Sequence, residues 1–156
     1  TGSDTIGTNL VIAVGDLVKQ FPNQLEPYTK ALYGCLSSKK SKVRMTGLHV
    51  LMHLILSSHV KTSGNISSLA RLLLDPDKRI ASFAELFFHQ LSRKTATSVY
   101  NLIPDILSNL TNDENLEEDG FKYIMQHILA FIRRDKQKEG LTQKLRHRLK
   151  TACGDE

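Results

Sequence analysis

The stretch of sequence that decides the fold is residues 80–91, IASFAELFFHQL. Its core-facing side chains fall at offsets 0, 3, 4, 7, 8 and 11 from Ile80. This spacing places them on one face of a helix with 3.6 residues per turn. The stretch therefore predicts an amphipathic α-helix that buries Phe83, Phe87 and Phe88.

The same six offsets recur elsewhere in the chain. They recur 37 residues earlier from Val43, 41 residues after Ile80 from Phe121, and more weakly from Ile6, where Asn9 interrupts the pattern. A shorter apolar series lies between these helices, and its members are again 37 residues apart. Each unit is therefore a short helix, a turn and a long helix. Such pairs bury their apolar faces only when they stack on one another.

The repeats predict an all-α fold, an α-solenoid of about four HEAT-type helix pairs without a sheet. We expect residues 1–156 to form a single domain. Within it, we expect residues 1–4 to be a scar of the expression tag and residues 112–119 to be an acidic loop. The eight expected helices span roughly residues 5–20, 25–37, 41–57, 65–74, 76–93, 97–110, 117–134 and 138–151.

Individual side chains follow from these helix positions. We expect four further core residues, which are Leu51, Leu54, Ile128 and Leu129. On the last helix, Leu141, Leu145 and Leu149 form the predicted buried stripe. Asp75 is expected to cap the long helix that begins at residue 76, with Pro76 in its first turn. Ser38 or Ser41 is expected to cap the helix that contains Val43.

Catalytic and metal-binding patterns are missing from the sequence. It has neither a glycine-rich phosphate loop nor a Gly-x-Ser-x-Gly turn. His49 and His53 are four residues apart, but Val50 stands where a metalloprotease needs glutamate, and no third ligand is evident. Cys35 and Cys153 have no metal spacing and are expected to be reduced thiols. We therefore predict a protein without enzymatic activity, metal, cofactor, small-molecule substrate or membrane span.

Charge is distributed unevenly along the chain. The net charge is +5, yet residues 133–150 hold eight basic against two acidic side chains, a local charge of +6. A second basic cluster lies at residues 39–44, and few aromatic residues accompany either cluster. This composition favours contacts with a phosphate backbone over stacking on bases. Solvated helix faces would account for the same charges.

We expect the basic clusters at the starts of successive long helices to lie along one edge of the stack, because the 37-residue repeat places these starts in register. The candidate DNA-binding residues are Lys39, Lys40, Lys42, Arg44, Lys78, Arg79, Arg133, Arg134, Lys136, Lys144, Arg146 and Arg148.

Several segments resemble one family of chromosomal proteins. They include NLVIAVGDL at residues 9–17, LDPD at residues 74–77, YNLIPDI at residues 100–106 and DKQ at residues 135–137. In order and spacing, the chain from Asn9 to Leu149 resembles the C-terminal HEAT region of condensin subunit 1. The segments at residues 100–106 and 135–137 favour the condensin I form over the condensin II form.

This resemblance implies a function. It implies a non-catalytic regulatory subunit of condensin, which acts in mitotic chromosome condensation while ATP hydrolysis belongs to the SMC subunits. The implied partners are the kleisin and SMC subunits and duplex DNA. The implied location is the nucleus and chromosomes, with cytoplasm outside mitosis. Two alternatives stay open: a HEAT-repeat adaptor or transport scaffold unrelated to DNA, and an enzyme with an unrecognised polar pocket.

Overall fold

The helical architecture matches the predicted class. The computed structural model describes residues 2–61, 65–94, 98–132 and 135–153, and within these ranges it contains nine α-helices, three short 3-10 helices and no strand. The α-helices are α1 (Gly2–Gln20), α2 (Pro22–Leu25), α3 (Thr29–Gly34), α4 (Ser41–Leu56), α5 (Ile66–Arg71), α6 (Lys78–Lys94), α7 (Ser98–Thr111), α8 (Glu118–Leu129) and α9 (Asp135–Cys153). The 3-10 helices are Glu26–Tyr28, Cys35–Ser37 and Leu72–Leu74. The predicted all-α, HEAT-like solenoid is thereby confirmed.

The helices stack as neighbouring pairs. The long helix α4 packs against α1 on one side and α6 on the other. The helices between them form a second layer, in which α5 packs against α7 and α7 against α9. Each pair thus buries its apolar face against the pairs beside it in the chain, as expected for a solenoid. None of the described helices is both long enough and apolar enough to cross a membrane.

The core runs along the stack, and among the described residues α4, α6 and α7 each contribute five buried apolar side chains. Phe87 and Phe88 are fully buried and meet edge to face, with ring centroids 5.1 Å apart. The predicted burial of Leu51, Leu54 and Ile128 is confirmed. Phe83 is only partly buried, since it lies beside the exposed ring of His49 on α4.

The prediction for the end of α8 was wrong. Leu129 is 39% exposed, because α8 ends there instead of continuing to residue 134. Phe131 lies in the turn that follows, where its backbone N–H donates to the carbonyl of Ile128.

The expected register of α1 was also wrong. The repeat pattern placed Ile6, Leu10 and Leu17 on the buried face, but they are 71%, 64% and 49% exposed. The residues that α1 buries are Thr8, Val11, Gly15 and Val18. The physical reason is Gly15: a Cβ there would stand 2.4 Å from Cγ1 of Val50, so the missing side chain lets α1 approach α4 on this face.

The helix starts depart from the expected caps. The long helix α6 begins at Lys78, and Asp77 rather than Asp75 caps it, accepting the backbone N–H of Arg79 at 3.0 Å. Asp75 instead accepts a hydrogen bond from the backbone N–H of Asp77 at 2.9 Å. Because α6 begins at Lys78, Pro76 lies before the helix and not in its first turn. Neither Ser38 nor Ser41 caps α4, whose N-cap residue Lys40 makes no side-chain cap hydrogen bond. The expected helix at residues 25–37 is divided into shorter helices, with Pro27 in a 3-10 turn.

Candidate nucleic-acid interface

The turns that lead into the long helices α4 and α6 are neighbours in space. We call residues 38–42 entrance 1, residues 75–79 entrance 2 and residues 112–119 entrance 3. Arg44, in the first turn of α4 next to entrance 1, donates from Nε to Oδ2 of Asp75 at 2.7 Å and from Nη2 to Oδ1 at 2.9 Å. The predicted proximity of the first two entrances is therefore confirmed.

Arg44 is held on every side of its guanidinium. Its Nη1 donates to the carbonyls of Ser38 at 2.8 Å and Lys39 at 3.2 Å. The side chains of Arg44 and Asp75 are only 12% and 3% exposed. The hydrogen bonds that Arg44 donates to Asp75 raise the pKa of Arg44, which favours the charged form further. Arg44 thus links two repeats and has little capacity left for an external phosphate.

Two other predicted contact residues have acidic neighbours. Nζ of Lys40 lies 2.5 Å from Oδ1 of Asp4 on α1, and this contact lowers the pKa of Asp4. Arg79 lies 2.9 Å from Oδ2 of Asp77, which holds the pKa of Asp77 low. The side chains of Lys40 and Arg79 are 45% and 80% exposed, so both cations still face solvent.

Three cations of this surface have no ion-pair partner among the described residues, namely Lys39, Lys42 and Lys78. All three are exposed. Together with Lys40 and Arg79 they form a basic edge across entrances 1 and 2. We call these five residues the basic edge.

Entrance 3 shares this side of the stack but has the opposite charge. A groove of about 840 Å³ is lined by Asp75 of entrance 2 and Asp113 of entrance 3, and also by Ser37, which directly precedes entrance 1. Entrance 3 contains five acidic residues and no basic one. One of them, Asp113, pairs with Arg71 at the end of α5. The basic edge therefore ends where entrance 3 begins.

The basic residues near the end of the chain form a separate group. Lys136, Lys144 and Arg146 are exposed on α9, and Nζ of Lys144 lies 4.5 Å from the ring centroid of Tyr100. Lys136 and Arg146 are about 15 Å apart along the helix axis, so they do not converge on one phosphate. The candidates Arg133 and Arg134, and the side chain of Arg148, lie outside the described residues.

The apolar stripe of α9 follows the prediction in part. Leu141 is buried, which confirms that prediction, but Leu145 is only partly buried against the core, and the side chain of Leu149 lies outside the described residues. This packing turns Lys136, Lys144 and Arg146 toward solvent.

Sequence reasoning missed the acidic partners of the entrances. Asp4 and Asp75 are 36 and 31 residues from the cations that they contact. The only available signal was the repeat itself, which brings residues about one repeat apart to the same edge of the stack. Among the described residues, no three His, Cys, Asp or Glu side chains are grouped so that they could hold a metal ion.

Comparisons with known proteins identify the family. A family model described as non-SMC mitotic condensation complex subunit 1 matches residues 5–156. Condensin complex subunit 1 of Xenopus laevis is 44% identical over 149 residues, which are 95% of this chain and 11% of the relative. The Homo sapiens protein of the same name is 43% identical over 94% of this chain and 10% of the relative. In Arabidopsis thaliana, the Condensin-1 complex subunit CAP-D2 is 42% identical, again over 94% of this chain and 10% of the relative.

The chain thus spans about a tenth of the length of these curated relatives. The family match nevertheless covers nearly all of it, including every helix that carries the basic edge. This chain belongs to the family of condensin complex subunit 1, a non-SMC subunit of the mitotic condensation complex.

Proposed function

We propose that this chain is a non-catalytic HEAT-repeat segment of a condensin regulatory subunit, and that its basic edge binds duplex DNA through phosphates without reading base sequence. The observation that carries the DNA proposal is the Arg44–Asp75 ion pair, which brings entrances 1 and 2 together. Five exposed cations from two successive repeats then face solvent along one edge. Lysine and arginine side chains in this arrangement neutralise backbone phosphates and release counterions.

Charge and packing both indicate how the duplex lies. The acidic residues of entrance 3 repel phosphates, so the duplex is confined to entrances 1 and 2. Arg44 contributes indirectly, because it fixes the spacing of the two turns while its own donors stay occupied. The basic residues of α9 serve a second contact, either with the same duplex farther along or with another subunit.

The protein partners follow from membership of the family. We propose that the kleisin and SMC subunits of condensin contact this segment in the assembled complex, and that the complex acts in the nucleus and on mitotic chromosomes. A HEAT-repeat adaptor unrelated to DNA is the second candidate, favoured by the acidic entrance 3 and by the exposed side chains of Leu86 and Tyr123.

A binding titration tests the DNA proposal. A fluorescently labelled duplex of mixed sequence is titrated with the wild-type protein and with the variant Lys39→Glu/Lys40→Glu/Lys42→Glu at low salt. We expect the variant to lose most of the affinity. The matched control, Lys30→Glu/Lys61→Glu/Lys122→Glu, makes the same change in net charge at exposed positions away from entrances 1 and 2.

The comparison of the two variants decides the result. Equal losses in both would mean that only net charge matters, and unchanged affinity in the entrance 1 variant would exclude this edge as the contact. Circular dichroism of both variants verifies that each is folded.

A further inference from the structure

A small pocket opens between the long helices α1 and α4, away from the basic edge. Its volume is about 210 Å³, and it is lined by Ile12, Gly15, Asp16, Lys19, His49, Val50, His53 and Leu54. It exists because Gly15 carries no side chain, which lets α1 approach Val50 closely. We call it the α1–α4 pocket.

The floor and the rim of this pocket differ in chemistry. Ile12 is 46% exposed, whereas Val50 is partly buried and Leu54 is buried, so the floor is apolar. The rim carries the exposed side chains of Lys19, His49 and His53, opposed by the single carboxylate of Asp16. The ring of His49 is oriented by an edge-to-face contact with Phe83, with centroids 4.1 Å apart.

The size and the chemistry of the pocket restrict what it can accept. Pockets that bind small molecules usually measure about 300–1,000 Å³, so this one has room for a single side chain rather than a cofactor. A DNA phosphate would have to give up water to reach an apolar floor that offers it no hydrogen bond. An apolar side chain fills such a floor, and carboxylates next to it accept hydrogen bonds from the ammonium of Lys19 and from imidazole N–H groups of His49 and His53, donors that outnumber the one carboxylate of Asp16 on the rim.

We propose that the α1–α4 pocket is an anchor site for a partner protein segment, in which one apolar side chain enters the pocket and neighbouring acidic residues contact Lys19, His49 and His53. The inference rests on the protein-contact part of the proposed function and is independent of DNA binding.

The next long helix continues the same pattern. On α6, the 42% exposed Leu86 lies near the exposed His89, whose ring centroid is 6.4 Å from that of Phe131 beyond α8. Leu86 lies 37 residues after His49, so an exposed apolar side chain stands at the equivalent position one repeat farther along. This recurrence favours an extended segment that crosses several helices over a partner that touches α1 alone.

Selection from a random peptide library tests the proposal without assuming the identity of the partner. Phage-displayed 12-residue peptides are selected on the wild-type chain, and the affinity of synthetic copies is measured by fluorescence polarisation. The selected peptides should share an apolar residue flanked by aspartate or glutamate. Ile12→Ser removes the apolar contact, and Lys19→Gln removes the charge on the rim; each should weaken binding by about fivefold or more.

The matched control is Leu17→Ser on the same helix, since Leu17 is 49% exposed and does not line the pocket. The affinity of Leu17→Ser for the selected peptides should stay within about twofold of that of wild type. The proposal is overturned if no peptide is selected, if the selected peptides lack acidic residues, or if Ile12→Ser binds them as wild type does.

A duplex titration on the same variants separates this proposal from the DNA proposal. Ile12→Ser should bind duplex DNA as wild type does while losing the peptide. If Ile12→Ser weakens duplex binding as strongly as reversal of the entrance 1 lysines does, the pocket is part of the DNA contact and the proposed occupant is wrong.

Discussion

The guanidinium of Arg44 and the carboxylate of Asp75 form a two-point ion pair, with Nε–Oδ2 at 2.7 Å and Nη2–Oδ1 at 2.9 Å. The pair joins the first turn of α4 to the turn before α6 and is almost completely shielded from solvent. It therefore stabilises the stack and positions the basic edge at once.

Removal of one member should destabilise the fold strongly. Among the described residues, Arg44→Ala leaves the buried carboxylate of Asp75 with the N–H of Asp77 as its remaining partner, and such buried charges without a counter-ion cost about 3–5 kcal/mol. Arg44→Lys should recover only part of the loss, because an ammonium cannot make the two parallel hydrogen bonds. Urea unfolding followed by circular dichroism measures the unfolding free energy of both variants. The control Arg79→Ala removes an exposed cation and should matter far less; an equal loss there would contradict the structural role of Arg44.

Tyr33 should make stability fall at alkaline pH. Burial raises the pKa of its phenol from 10.0 to about 12. The folded state therefore holds this proton more tightly than the unfolded chain does. The stabilisation that the protonated phenol of Tyr33 contributes is fully present below pH 10 and is lost as the pH rises through about 12. Comparison of the unfolding free energy of wild type and Tyr33→Phe across this range isolates the effect.

The same variant tests an unpaired hydroxyl. The Tyr33 oxygen is buried without a hydrogen-bond partner among the described residues, so Tyr33→Phe should stabilise the protein at neutral pH by about 1 kcal/mol. Tyr28→Phe is the control, since Tyr28 is 60% exposed. A destabilised Tyr33→Phe would indicate that the hydroxyl is bonded in solution.

Phe87 should be essential for the core. It is fully buried, and Phe87→Ala should cost about 3–5 kcal/mol in unfolding free energy. The neighbouring Leu86 is 42% exposed, so Leu86→Ala provides a control on the same helix. A loss below about 1 kcal/mol for Phe87→Ala would show that this face of α6 is misassigned.

Gly15 should be required for the contact of α1 with α4. The Cβ of Gly15→Ala would stand 2.4 Å from Cγ1 of Val50, so the helices must separate, at a cost of about 1–3 kcal/mol. Val50→Ala should partly rescue the variant. At Gly34 a Cβ meets nothing within 4 Å, so Gly34→Ala should be neutral or stabilising. Equal effects at the two glycines would contradict the close approach of α1 to α4.

Much of the fold could be predicted from the sequence because the repeat is regular. The offsets from Ile80 placed α6 at residues 76–93, and the observed helix is Lys78–Lys94. The two-residue difference arises because Asp77 rather than Asp75 provides the cap. The register of α1 could not be predicted, since the glycine contact that sets it depends on a residue of α4 35 positions away.

The repeat predicted that the two entrances are neighbours, but it did not predict their contacts. The 37-residue repeat correctly placed the starts of α4 and α6 side by side. It could not reveal that Arg44 is already engaged by Asp75, because apolar periodicity contains no information on ion pairs between repeats. Nor did it indicate the α1–α4 pocket, which exists only because of the changed register of α1.

The salt dependence of duplex binding measures whether the basic edge holds the phosphates of DNA. If the basic edge neutralises about four phosphates, log affinity plotted against log salt concentration should fall with a slope of roughly −3 to −4 for the wild-type chain. Reversal of Lys39, Lys40 and Lys42 to glutamate should reduce the slope to about −1, because up to three phosphate contacts are lost. The same slope and affinity in both proteins would contradict the proposal that the basic edge binds duplex DNA, since the duplex would then bind elsewhere.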